Sequence, residues 1–141
     1  MNVNERIKER VHELYWKDDF NCARTTLICL GELFDIDIAE QVLLSAIGLH
    51  GAGKYRAQCG IVEGTLLFIG IYLSQKNYEE SVIVSTCYGF AKAFEDRFGS
   101  LRCRELRPTG FRENDPPHMC EQITCEGIDF SYHYICDVGS I

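Results

Sequence analysis

The sequence predicts an all-α fold: a single compact multi-helix domain over residues 1–141, with one buried central helix. Three observations predict it. Apolar residues recur three and four positions apart along most of the chain, the period of a helix with one buried face. No stretch alternates apolar and polar residues as a half-buried strand does. One run, "TLLFIGIYL", is apolar almost all round, which suits a helix enclosed by others. No internal repeat, low-complexity tract or interdomain linker divides the chain.

The elements follow in order. Ile7, Val11 and Leu14 form the apolar stripe of a first helix. Asp19 and Asn21 offer capping side chains. After them Ala23, Leu27, Leu30 and Phe34 carry a second helix ending near Asp35. A third spans Asp37 to Ile47 and stops at Gly48. "GLHGAGKYRAQCG" reads as a glycine-rich loop, and the central helix runs from near Gln58 to Ser74. Asn77 is placed to cap the fifth helix, whose stripe is Ile83, Cys87, Phe90, Phe94 and Phe98. Gly99 suits the left-handed residue that closes it. Ser100 opens a short helix, "SLRCREL", and Arg107 to Asn114 reads as a loop. In "DPPHMCEQI", Asp115 is placed as N-cap with proline in the first turn. A last helix therefore starts there and runs to Tyr134.

Composition limits the function. A net charge of -7 argues against a nucleic-acid binder and against adhesion to an anionic membrane. The N-terminal stretch is amphipathic rather than an apolar export signal. The longest apolar run is interrupted by Glu63 and falls short of a membrane span. The expected compartment is the cytoplasm. There, eight cysteines read as metal ligands or redox groups rather than as a disulfide framework.

The cysteines divide by position. Cys22, Cys59, Cys103 and Cys120 all fall near predicted helix starts. There the free N–H groups and the positive end of the helix dipole favour a thiolate, the form that binds metal or attacks a disulfide. Cys87 continues a core stripe, and Cys29 lies inside the second helix, seven residues after Cys22. Core packing is the expected role for both. Cys125 and Cys136 read as core or surface residues. Gly60 and Gly64 lie four residues apart on one face of the central helix, beside Cys59. Without side chains they would let a neighbouring helix or a metal–sulfur group lie against the backbone. Helix packing suffices for Gly64, less so for Gly60.

In this order, "DFNCARTTL", "CGIVEG", "FGSLRCREL" and "HMCEQI" resemble the C_GCAxxG_C_C family of redox-active proteins over nearly the whole chain. The resemblance implies four defining cysteines, at Cys22, Cys59, Cys103 and Cys120. Ile61 departs from the Cys-Gly-Ala-x-x-Gly pattern, standing where the family has alanine. Lys54, Tyr55 and Arg56 make the preceding loop bulkier.

Two redox chemistries fit such a set. The four cysteines could ligate an iron–sulfur cluster, with Gly60 and Gly64 lining it. They could instead be catalytic thiols cycling through disulfides. The absence of C-x-x-C disfavours a thioredoxin-like cycle, and a bound metal centre is the preferred reading. The rival from another class is an adaptor module stapled by a Cys₄ zinc site, in which His118 could also serve as a ligand. His12, His50 and His133 read as solvated or loop histidines, Glu63 as a helix-start charge, and Arg102 and Arg104 as cations flanking Cys103. "GLHGAGK" lacks the Ser or Thr that a phosphate-binding loop needs, because Tyr55 follows it. An electron-transfer or thiol-redox protein is expected, with an unspecified redox partner and room for a homodimer.

Overall fold

The computed structural model describes residues 1–107 and 114–139. Among these the regular structure is helical, in the order α1 (Val3–Trp16), α2 (Cys22–Leu33), α3 (Glu40–Ser45), α4 (Gly51–Lys54), α5 (Gly60–Gln75), α6 (Glu80–Phe98), α7 (Cys103–Leu106) and α8 (Glu121–Gly139). The all-α reading therefore holds.

Each long helix begins where its chemistry allows. Asn2 caps α1 by accepting from the Glu5 amide at 2.8 Å, and Glu5 returns the bond to the Asn2 amide. Asn21 caps α2 through the Arg24 amide at 2.9 Å. Gly99, at φ +90°, closes α6 in the left-handed conformation that suits glycine. Helix α5 packs along α2 and also meets α6 and α8, while α1 lies across α2 and α8. The deepest side chains come from all five long helices: Ile7 and Leu14, Leu27 and Leu30, Ile61 and Phe68, Phe90 and Phe94, and Ile128.

Several boundaries differ from expectation. Helix α3 starts only at Glu40, without a side-chain cap, and gives way to turns at residues 46–50. Asn77 sits at φ +64° in the turn after α5, whereas Glu79 is the N-cap of α6. Ser100 does not open α7. Its hydroxyl accepts from the Arg102 amide at 2.9 Å, and Arg102 is the N-cap. Asp115 does not cap α8, which starts six residues later; its carboxylate instead meets the Arg107 guanidinium at 3.1 Å. The two prolines thus lie ahead of the last helix, not in its first turn, and α8 continues past Tyr134 to Gly139. Of the expected 107–114 loop, residues 108–113 lie outside the described residues.

Candidate functional site

All four singled-out cysteines stand at helix starts. Cys22 is the first residue of α2, Cys59 the N-cap of α5, and Cys103 the first residue of α7. Cys120 immediately precedes α8, and its carbonyl accepts the Thr124 amide at 2.8 Å.

Local backbone geometry brings three of these starts together. The Cys59 amide donates to the Leu101 carbonyl at 2.8 Å, and the Cys103 amide donates to the Ala57 carbonyl at 2.7 Å. These bonds flank a single antiparallel bridge between Gln58 and Arg102. Side chains alternate along such a bridge, so Cys59 and Cys103 share one face and Gln58 and Arg102 the other. Gly60 joins Cys22 to this pair. A methyl group at Gly60 would overlap the Cys22 sulfur and stand 2.7 Å from the Leu49 carbonyl oxygen. Gly51 completes the contact. It lies at φ +74°, and a Cβ there would stand 3.2 Å from the Cys103 Cβ. Gly64 serves helix packing, since a Cβ there would be 2.7 Å from the Ala23 carbonyl oxygen and 2.9 Å from the Thr26 Cβ.

Electrostatics link the fourth cysteine to the other three. Every pairing among Cys22, Cys59, Cys103 and Cys120 is close enough for the ionised sulfurs to repel. The expectation of low-pKa thiolates is overturned. Burial pushes the Cys22 thiol far up, and the charges of Cys59, Cys103 and Cys120 push it further against the opposing Gly60 amide. Burial raises Cys59 to about 12, although the Ile61 and Val62 amides favour its thiolate without closing a capping hydrogen bond. Cys103 and Cys120 are also raised by burial, but less exclusively: Arg107 and Arg56 pull Cys103 down, and Arg107 pulls Cys120 down. Loss of water thus outweighs the helix termini.

Tyr15 is a neighbour that the sequence reading missed. It is buried, its hydroxyl meets the Thr124 Oγ1 at 2.7 Å, and burial followed by the charge of Cys22 holds its phenol well above the ordinary range. Its position one residue after Leu14 in the apolar stripe concealed it. His118 lies against this group but acts as an aromatic wedge. Its ring stacks on Tyr15 at 5.0 Å and meets Trp16 edge-on at 4.8 Å, and its Nε2 is 3.4 Å from Asp19. His12 pairs with Glu121 at 2.9 Å, His133 lies 3.5 Å from Asp129, and His50 Nδ1 meets the Asn21 amide at 3.2 Å. Glu63 accepts from the Gln58 side chain.

The other cysteines lie apart from the four. Cys29 and Cys125 are buried, and Cys87 and Cys136 half-buried. Cys87 is therefore less deeply placed than the stripe predicted; Phe90 and Phe94 carry that face. All eight are free thiols. Among the described residues no three His, Cys, Asp or Glu side chains are gathered closely enough to hold a metal ion as they stand. Nor is any described helix long and apolar enough to cross a membrane.

The sequence model of a family described as "Putative redox-active protein (C_GCAxxG_C_C)" matches residues 20–134, a span that contains all four helix-start cysteines. No curated protein and no solved structure matches the chain.

Proposed function

The chain belongs to the C_GCAxxG_C_C family, and on that premise we propose that Cys22, Cys59, Cys103 and Cys120 form one redox site that ligates an iron–sulfur cluster. The observation that carries this reading is the convergence of four separate helix starts on one region, each presenting a thiol. Four mutually repelling sulfurs in a buried place cannot all ionise without compensating positive charge. Iron supplies that charge and the electron-accepting orbitals when the cluster is bound. The donor set suits it in kind, and Gly60 keeps clear a volume that any side chain would fill. A lone zinc ion would use the same four sulfurs, about 2.3 Å from one point; it gives a colourless protein, so the visible spectrum distinguishes the two.

The chain's own groups have definable roles. The Gly60, Ile61 and Val62 amides favour negative sulfur at Cys22 and Cys59. Arg56 and Arg107 do so at Cys103, and Arg107 at Cys120. Burial excludes water from the inner pair, which limits oxidation of the sulfurs.

A dithiol–disulfide cycle is the second reading. It is favoured by the shared face of Cys59 and Cys103. Each disulfide formed from two of these neutral thiols would release two protons and pass two electrons to an external disulfide or other thiol oxidant. Anaerobic reconstitution with iron and sulfide separates the two. A visible charge-transfer spectrum with stoichiometric iron, lost in Cys59→Ser and retained in Cys87→Ser, supports the cluster. A colourless protein that reversibly loses two thiols per oxidation supports the disulfide cycle instead.

A further inference from the structure

We propose that the exposed cations around Cys103 form a docking face for the acidic surface of a partner protein that exchanges electrons with the four-cysteine site. The proposal rests on the redox reading above and adds the class of partner. Its basis is a local reversal of charge. The chain carries a net charge of -7, yet residues 54–58 and 101–106 together hold four exposed basic residues, Lys54, Arg56, Arg102 and Arg104, against the exposed acid Glu105, while Arg107 is balanced by Asp115 and Glu63 meets the Gln58 side chain. Lys54, Tyr55, Arg56, Arg102 and Arg104 are all exposed, and Tyr55 is 75% exposed.

The two segments are held together, so the charges act as one patch. The bridge between Gln58 and Arg102 joins them, the Arg104 Nε donates to the Arg56 carbonyl at 3.2 Å, and Gly51 packs on Cys103. Cys103 itself is half-buried, stands between Arg102 and Arg104 in the chain, and shares a face of the bridge with the buried Cys59. An exposed tyrosine among arginines is the composition of a protein-binding hot spot rather than of a small-ligand cleft. Charge complementarity of this kind speeds a transient encounter without requiring a large interface. The overall negative charge of the chain repels an acidic partner elsewhere and so selects this orientation.

The test uses the full chain with reduced thiols and reads alkylation of Cys103 by the neutral reagent N-ethylmaleimide, followed by peptide mass spectrometry. Poly-L-glutamate is the acidic probe. It should slow Cys103 alkylation roughly five-fold at about 20 mM salt and less than about two-fold at 500 mM, where the Debye length is only a few ångströms. Lys54→Glu/Arg56→Glu/Arg102→Glu should abolish the protection, and the corresponding triple Gln variant should weaken it. Lys54 and Arg56 already hold positive φ without glycine, so the backbone demand is unchanged. Circular dichroism identifies which variant to read. Absent protection, equal protection by poly-L-lysine, or protection that survives in the folded variants would overturn the proposal. Citrate at equal carboxylate concentration protecting as well would make this a small-anion site, and poly(U) protecting in place of polyglutamate would make it a nucleic-acid face. Either result also overturns it. The assay needs neither a cluster nor a disulfide, so its failure is distinguishable from failure of the redox reading.

Discussion

Gly60 and Gly64 look alike in the sequence and do different work. Gly64 lets α2 and α5 close on each other, whereas Gly60 leaves room for the Cys22 sulfur and the Leu49 carbonyl. Gly60→Ala is therefore expected to cost about 1–3 kcal/mol by overpacking and to lower iron uptake in the same variant. Urea denaturation and iron analysis check both, and normal stability with full iron would show that the cradle is loose. The two core-like cysteines also separate. Cys87 is half-buried, so Cys87→Ser should cost less than about 1 kcal/mol, whereas the buried Cys29 should cost about 1–3 kcal/mol as serine. Periodicity made the helix starts at Cys22 and Cys59 readable, with Asn21 as the one cap that held, whereas Cys103 and Cys120 were placed from Ser100 and Asp115, which do not cap their helices. The protonation of the four thiols was not readable, because burial depends on which helices stack over them, and one helix's sequence does not carry that information.

At the scale of elements, capping joins secondary structure to the site. Asn21 accepts from the Arg24 amide, and its side-chain amide donates to the Ala46 and Ile47 carbonyls at 3.0 and 2.8 Å. It thus holds the start of α2, and with it Cys22, against the turn before the glycine-rich loop. Asn21→Ala should destabilise by about 1–2 kcal/mol. Asn21→Asp should recover part of this, because it keeps the cap but loses both donated bonds. Thermal or denaturant unfolding of the two variants measures the difference. The departure at Ile61 also has a structural counterpart. A Cβ on Gly127 of α8 would stand 2.8 Å from Ile61 Cγ2 and 3.2 Å from its Cδ1. Gly127→Ala should cost about 1–3 kcal/mol, and in combination with Ile61→Ala the loss should fall short of the sum by about 1 kcal/mol or more. Strict additivity would show that the two positions do not share this space. Asp115 marks where element boundaries were misread. Asp-Pro-Pro has the composition of a helix start, but the Arg107 guanidinium takes the carboxylate, and the helix begins beyond it.

Across the whole molecule, the Arg107–Asp115 pair ties the segment carrying Cys103 to the segment leading to Cys120. Both side chains are mostly shielded, at 20% and 11% exposure, so Asp115→Asn should lower stability by about 1–3 kcal/mol. It should leave the helix content unchanged, because α8 starts at Glu121. A loss of helicity measured by circular dichroism would restore Asp115 as the cap. The fold as a whole was legible because four long helices with apolar stripes and one helix apolar almost all round can bury one another in few ways. The electropositive segments beside Cys103 were not legible as a unit, since they lie nearly fifty residues apart and are joined by the bridge at Gln58 and Arg102 and by the Arg104 side chain on the Arg56 carbonyl. Convergence of the four helix starts is tested most directly by mild anaerobic oxidation of the metal-free full chain with diamide, followed by mass-spectrometric mapping of every disulfide formed. Bonds confined to pairs among Cys22, Cys59, Cys103 and Cys120 are the predicted result. Bonds that join these residues to Cys29, Cys87, Cys125 or Cys136 instead, or a chain in which none of the four can be linked to another, would contradict a shared site.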